Sequence, residues 1–553
     1  MAEEQYWTLQ NIPAKRGDIL SSDGFPLATT QVSYLLYGEP KKIKDPLQVA
    51  YDIAKVLTGL RKNRYEDNAE RDAYFESLKS HFYEVLSLDL GWVAMEHYLS
   101  EEERTAVLAL GVEGLGFEGE PKRYYPEGTL AAHVMGFVGK DEHGEELGYF
   151  GIEGNFDGDL KGRPGKIIEE QGATGEPILV GDYRRAEPIN GRNIVLTINR
   201  AVQYIVEKKL EEGVRKYGAA SGSVIVMDPF TGDVIAMATF PTYDPGKFNE
   251  LTEGELDEES KEISYAFERK NLAISQTYEP GSVMKPFTIS TAVDLGKVTP
   301  QTTFEDNGPV VYSDYTINTW NGVHYGTQTV IQLLQKSNNI GAAWVGHLVG
   351  SRNLSNYLQT FGFGEVTGID LEGEDTGIIR PYREWTDIDL ATASFGQGVS
   401  ATPLQVLNGF NAIANGGELF KPRIVSSVIQ GSSKIDIPVN KTRDVISKGS
   451  SDTMVGMLIE AVDGGESKYF NLKNYKIAGK TGTAQIPVGG KYDPELTNAT
   501  FMGFPATTRK FSMIVKLEKP SSSIFAAETA VPMWMDLANN LFKYYGIAPD
   551  STI

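Results

Sequence analysis

No cysteine occurs among the 553 residues, which removes disulfides, thiolate metal sites and cysteine nucleophiles. Histidine is scarce: His81, His97, His133, His143, His324 and His347 are scattered, and none forms an H-x-x-x-H pair. A zinc site is therefore not expected, and the predicted metal and cofactor complement is none. Positive charge is in deficit too, with 52 basic against 74 acidic residues and a net charge of -22. A phosphate-binding face needs a basic patch, so no nucleic acid partner is predicted and an anionic lipid surface is disfavoured. The chain also lacks any run of about 18 apolar residues, and its start, Met1-Ala2-Glu3-Glu4-Gln5-Tyr6, has no signal-peptide character. Read as written, it is soluble, and it also fits an ectodomain cut just after a membrane anchor.

What is present is ordinary in bulk and particular in detail. Hydrophobic content of 41% and charged content of 23% suit a globular protein, and the length suits two to four domains. Residues 1–190 read as short β-rich segments with glycine turns around a charged stretch at 45–110. Within that stretch, Pro46 to Leu57 has apolar residues at helical spacing. A glycine-rich polar region at 162–192 reads as a boundary. Residues 193–553 read as one α/β (α+β) domain. It opens with a strand at Ile194–Ile198 and a helix through Val202, Ile205, Val206 and Leu210. A hairpin of Ser223–Met227 with Asp233–Ala238 follows, then a late strand Phe511–Glu518 and a closing helix at 531–545. The acidic run Glu253 to Glu262 reads as a solvated loop or helix face.

Three short motifs carry the chemistry. Ser282-Val283-Met284-Lys285 sets a hydroxyl and an amine three residues apart at a predicted helix start, with Gly281 as the expected N-cap. The helix N-terminus favours a developing oxyanion, and Lys285 serves as a base only if burial or a second cation lowers its pKa. Ser337-Asn338-Asn339 lies 55 residues further on, between a predicted helix Val330–Gln335, opened by a Thr329/Gln332 capping box, and an apolar helix Ile340–Val349. Such a loop can aim Ser337, a proton relay, and Asn339, a substrate hydrogen-bonder, into a cleft. Lys480-Thr481-Gly482-Thr483 follows after another 143 residues on an expected edge strand. There Lys480 is the candidate second cation, and Lys480, Thr481 and Thr483 suit a carboxylate pocket. Gly482 allows close substrate approach, and the Thr483 and Ser282 N–H groups are an oxyanion-hole pair. Each motif alone is common; the ordered triple is far more specific.

Together these residues resemble the penicillin-binding proteins. The resemblance extends to Ser394-Phe395-Gly396-Gln397-Gly398 with Thr402-Pro403-Leu404-Gln405. In the first half, Ala14 to Ile19, Arg123-Tyr124-Tyr125-Pro126, His133-Val134-Met135-Gly136 and Gly151 to Asp157 are similar to the pedestal motifs of the class B members. Ser21-Ser22-Asp23-Gly24 and Asn199 depart from the family pattern without touching the active-site motifs. The resemblance implies a penicillin-binding/β-lactamase-like transpeptidase domain at 193–553 behind an elongated, β-rich N-terminal pedestal at 1–190. It also implies a serine D,D-transpeptidase that crosslinks peptidoglycan stem peptides ending in D-Ala-D-Ala and is acylated by β-lactam antibiotics.

By the same resemblance the catalytic residues are Ser282, Lys285, Ser337, Asn339 and Lys480, with Thr481, Gly482 and Thr483 binding substrate. The expected partners are a membrane glycan polymerase and a division or elongation complex, the division type being favoured. The expected location is the cell membrane, through a single-pass anchor absent from this chain, with the catalytic domain extracytoplasmic. A D,D-carboxypeptidase and a non-catalytic β-lactam sensor or scaffold of the same fold stay open as alternatives. A class A β-lactamase does not fit, since no E-x-x-L-N deacylation motif lies between Ser337 and Lys480.

Overall fold

A computed structural model describes residues 6–142, 144–171, 183–248, 269–312 and 315–550. The acidic run at 253–262, His143 and part of the 162–192 boundary lie outside the described residues. The chain divides into two compact units. The first takes the described parts of Met1–Asp18, Ala28–Pro126 and Lys161–Arg192; the second takes Ile19–Leu27, Glu127–Leu160 and Asn193–Ile553.

In the first unit the helix Pro46–Leu60 starts on the Asp45 side chain, which accepts the Gln48 N–H, with proline at its first position. Its Val49, Ala50, Ile53, Ala54 and Leu57 fall on one face and are buried. They share a core with Leu78, Phe82 and Leu86 of the helix Asn68–Leu86 and with Leu36, Val93 and Met95. These last three belong to a three-stranded sheet in which Tyr34–Gly38 lies between Val93–Leu99 and Leu115–Gly119.

The second unit is built on one five-stranded sheet. Its strands are β1 (Ser221–Met227), β2 (Val234–Phe240), β3 (Ile477–Val488), β4 (Lys491–Pro505) and β5 (Ser512–Glu518), in the order β2-β1-β5-β4-β3. All pairings are antiparallel. Every residue of β1 is buried, as expected of a strand covered on both faces. The helices used below are α1 (Arg200–Tyr217), α2 (Lys285–Asp294), α3 (Val330–Lys336), α4 (Asn339–Val349), α5 (Pro403–Ala414), α6 (Lys448–Gly464) and α7 (Ala530–Tyr545).

Side chains three apart on β4 point to opposite faces, and each meets a different helix. Phe501 lies edge-on to Trp534 of α7 at 5.1 Å, while Phe504 lies 5.4 Å from Phe410 of α5. On the α7 side, Val202, Val206 and Leu210 of α1 join Trp534, Leu537 and Leu541 in one hydrophobic core. The edge strand β3, which carries Lys480 to Thr483, is left with one side unpaired toward the turn that carries Ser282.

The expected localisation is corrected here. Among the described residues no helix is long and apolar enough to cross a membrane, so a single-pass anchor is not seen. The longest of the described helices, Asn68–Leu86, has 19 residues but carries Glu70, Arg71, Asp72, Glu76, Lys79 and Glu84, whereas a span needs about 20 predominantly apolar residues.

Candidate active site

Ser282 sits where a 3₁₀ turn, Gly281–Met284, runs directly into α2. This corrects the expected N-cap at Gly281: the cap position is Pro280, and Gly281 is the first residue of the turn, with φ +59°. Glycine meets that left-handed backbone without the steric cost other residues carry. The Gly281 N–H donates to the Gly396 carbonyl at 3.0 Å, which fixes the turn to the loop following Ser394. Pro286 takes an early position in α2, where its missing N–H forfeits at most one backbone hydrogen bond. A 3₁₀ turn eclipses residues i and i+3, so Lys285 stands directly over Ser282, with Nζ 2.8 Å from Oγ.

Lys285 is fully buried, and its other near partners are uncharged oxygens. They are the Ser337 carbonyl at 2.7 Å, Asn339 Oδ1 at 2.9 Å and Ser337 Oγ at 3.2 Å. Ser337 delivers both of its oxygens because it ends α3 in the left-handed region, at φ +52°. The Thr329/Gln332 capping box opens α3 as expected. Asn338 faces away from the cleft. Its Oδ1 accepts the Gly341 N–H to start α4, and its Nδ2 donates to the fully buried Asp306 at 2.7 Å. Asp306 also accepts from Gln328 at 3.1 Å and lies 2.6 Å from His324 Nδ1. It is a structural support for the loop that no motif announced.

Lys480, 3% exposed, comes from β3 to the other side of Ser337. Its Nζ lies 3.0 Å from Ser337 Oγ and 2.9 Å from Thr481 Oγ1. The Thr481 hydroxyl in turn donates to Glu466 Oε2 at 3.0 Å, which commits its hydrogen away from a ligand carboxylate. Thr483 Oγ1 accepts the Ala526 N–H at 3.0 Å and keeps its own hydrogen for a ligand. A Cβ on Gly482 would lie 2.8 Å from Val283 and 3.0 Å from the Pro280 carbonyl. The missing side chain therefore serves the packing of the Ser282 turn on β3.

Electrostatics follow from this packing. Burial, and then the Lys480 charge, hold the Lys285 amine well below its ordinary value, with Glu466 acting the other way. Burial brings Lys480 down to about 8, against the pull of Glu466. The cleft in front has a volume of about 530 Å³; Ser282, Ser337, Asn339, Thr481 and Thr483 line it. Opposite stand Trp320 and Phe525, edge to face at 5.5 Å. Lys285 and Lys480 lie behind this surface. All eight site residues expected from the sequence thus gather at one cleft or immediately behind it. Sequence reasoning missed Glu466, Asp306, Trp320 and Phe525, none of which belongs to a motif; the double glycine before Glu466 was the one local signal available.

Comparison with known proteins agrees with this geometry. Residues 222–536 match the penicillin binding protein transpeptidase domain, and residues 11–196 match the penicillin-binding protein dimerisation domain. Stage V sporulation protein D of Bacillus subtilis is 29% identical over 551 residues, covering 98% of this chain and 80% of that protein. Peptidoglycan D,D-transpeptidase FtsI of Escherichia coli is 27% identical over 550 residues, covering 98% and 86%. Among solved structures, penicillin-binding protein 3 of Mycobacterium tuberculosis in complex with aztreonam superposes with a TM-score of 0.71 at 24% identity, covering 98% of both chains. Penicillin binding protein 2X of Streptococcus thermophilus gives 0.76 at 23%, covering 99% of this chain and 83% of that one.

Proposed function

Because the chain belongs to the class B penicillin-binding proteins and is a serine-type peptidoglycan D,D-transpeptidase, we propose that Ser282 is its nucleophile, acylated by substrate and by β-lactams alike, and Lys285 its general base. In this reading Lys285 takes the Ser282 proton as Oγ attacks the carbonyl of the D-Ala-D-Ala bond. The N–H groups of Ser282 and Thr483 receive the oxyanion. Ser337 relays a proton to the leaving D-alanine amine, and Asn339 holds the peptide backbone. The Thr483 hydroxyl receives the terminal carboxylate, attracted by the Lys480 charge behind the cleft wall, with Thr481 orienting Lys480. An amine from a second stem peptide then attacks the ester, and the same groups work in reverse.

One observation carries the assignment: a fully buried amine 2.8 Å from the Ser282 hydroxyl, with uncharged oxygens and a second lysine as neighbours. Such an amine is neutral enough to accept a proton, unlike a surface lysine. We further propose a pedestal at 1–190 and a transpeptidase domain at 193–553. The proposed partners are a glycan polymerase and a division-type complex.

The test is labelling with a fluorescent penicillin. Wild type is expected to label covalently and Ser282→Ala not at all; equal labelling of both would remove Ser282 as nucleophile. Turnover of a thioester donor with D-amino acids separates a transpeptidase, which exchanges them, from a carboxypeptidase, which only hydrolyses, and from a sensor, which does neither.

A further inference from the structure

Lys285 and Lys480 place two amines 3.2 and 3.0 Å from one oxygen, Ser337 Oγ. Two ammonium groups a few ångströms apart repel by about 3 kcal/mol at an effective dielectric near 20. Among the described residues the hydrogen-bond partners of both amines are uncharged oxygens, with no carboxylate in direct ion-pair contact. The pair is therefore best satisfied by a single positive charge, and acyl transfer as proposed above needs that charge on Lys480 rather than Lys285.

Glu466 supplies the asymmetry. Its Oε2 accepts the Thr481 hydroxyl at 3.0 Å, and Thr481 Oγ1 accepts from Lys480 at 2.9 Å. The carboxylate is thus one hydroxyl removed from Lys480, while it reaches Lys285 only from beyond Lys480 and Ser337. The chain of donors runs from the Lys480 amine to hydroxyl to carboxylate, and a charged Lys480 donates into it more strongly than a neutral amine would. Glu466 is seated for this task by Gly464 and Gly465. A Cβ on Gly464 would lie 2.4 Å from Gln335 Nε2, and one on Gly465 would lie 2.2 Å from the Ala461 carbonyl and 2.9 Å from that of Gln335. The double glycine therefore brings the turn Glu466–Tyr469 against the end of α3, two residues before Ser337.

We propose that Glu466 is a positioning residue that fixes the single charge of the lysine pair on Lys480, leaving Lys285 as the free base for Ser282. This rests on the acyl-transfer reading above. The other charged groups nearby do not take that part. Glu528 lies across the cleft, Lys336 and Lys468 sit over the Tyr325 and Tyr469 rings, and Asp463 accepts from Asn471. The direction of the Lys480 shift, down through burial and up through Glu466, agrees with the geometry.

The test is the pH dependence of second-order acylation by fluorescent penicillin, in the full chain. The acid limb reports loss of the Lys285 proton and the alkaline limb loss of the Lys480 proton. Glu466→Gln keeps the size and hydrogen bonding and removes the charge. It is expected to move the alkaline limb to lower pH by about one unit, the size of one charge acting at second-neighbour range. Glu466→Asp is expected to restore most of that shift. Thr481→Val, which cuts the chain while leaving Glu466, is expected to move the limb the same way. An unmoved limb in both Glu466→Gln and Thr481→Val would overturn the proposal. So would a uniform loss of rate at every pH, which marks a purely structural role. Failure of the wild type to label at all would instead overturn the acyl-transfer reading.

Discussion

Arg61 in the first unit and Lys285 in the second are both cations withdrawn from water, and they end in opposite states. The Arg61 side chain is 12% exposed, with Nε 2.6 Å from Glu103, Nη1 2.7 Å from Glu96 and a third contact to Tyr74 at 2.9 Å. Burial works against its charge, but hydrogen bonds to Glu103, Tyr74 and Glu96 outweigh that and raise its pKa further. Lys285, buried more deeply still, has carbonyl, amide and hydroxyl oxygens around it and another amine beyond. Burial alone therefore does not decide what a cation becomes; the charge of its neighbours does. With carboxylates it becomes a clasp between elements, and with neutral oxygens and a like charge it becomes a base.

The largest test of that contrast removes the base. Lys285→Met is expected to slow acylation by fluorescent penicillin about 10³-fold, in the range a lost general base costs, with little change in thermal midpoint. The amine it removes was held at a desolvation cost that its hydrogen bonds only offset. Labelling within tenfold of wild type would mean that Lys285 is as structural as Arg61.

The mirror test breaks the clasp. Arg61→Met strands Glu96 and Glu103, 23% and 13% exposed, and is expected to lower stability by about 3 kcal/mol in urea unfolding while leaving acylation unchanged. Its pH dependence has a definite sign. Burial pushes the Glu103 carboxyl up, but Arg61 and the Ser100 backbone N–H pull it below its ordinary 4.5. A carboxylate lowered in the native state adds stability above its unfolded value, and that stability is lost as pH falls through the native value. The gap between wild type and Arg61→Met should thus be full at neutral pH and close in acid below 4.5. A gap independent of pH would assign the loss to packing of the Arg61 stem instead.

How much of this contrast the sequence discloses differs between the two regions for a physical reason. Ser282, Lys285, Ser337, Asn339 and Lys480 stand in short motifs, because a 3₁₀ turn, a helix end and an edge strand each carry their chemistry within four residues. The strands Ser221–Met227 and Ser512–Glu518 and the closing helix Ala530–Tyr545 were likewise legible from local pattern. Arg61, Glu96 and Glu103 have no such signature, since their meeting is made by the packing of a helix end, a strand and a second helix. Glu466 and Asp306 were hidden for the same reason: each acts through a residue of a motif, Thr481 or Asn338, from a distant stretch of chain. The i, i+3 pattern at Ser282 fits an α-helix start and a 3₁₀ turn alike, and the structure resolves it as a 3₁₀ turn opening on Gly281 at φ +59°.

Lys516 offers the finest test, because it stands between the two extremes. It is 2% exposed on β5, with Nζ 2.6 Å from Gln276 Oε1, 3.8 Å from Glu518 Oε2 and 5.1 Å from the Tyr278 ring centre. Burial lowers it and Glu518 raises it, for a balance at about 8. Glu518→Gln should turn this half-compensated cation into a second case of the Lys285 kind. Ser221 and Gln276, which donate to Glu518 at 2.8 and 2.7 Å, can still bond an amide oxygen, so the loss at neutral pH is expected to be only about 1 kcal/mol. The sharper reading is the alkaline side. A lysine whose native pKa is depressed costs stability while both states hold the proton. That cost is relieved as pH rises from the native value toward the unfolded 10.5, where the unfolded chain binds more protons. In wild type this relief begins near 8. In Glu518→Gln it should begin lower, because the attractive charge is gone. Lys480 contributes equally to both proteins, so the difference in thermal midpoint against pH isolates Lys516. A difference that stays flat with pH would mean that Glu518 acts only as a hydrogen-bond acceptor, and that its charge, unlike those beside Arg61, does not set the state of its lysine.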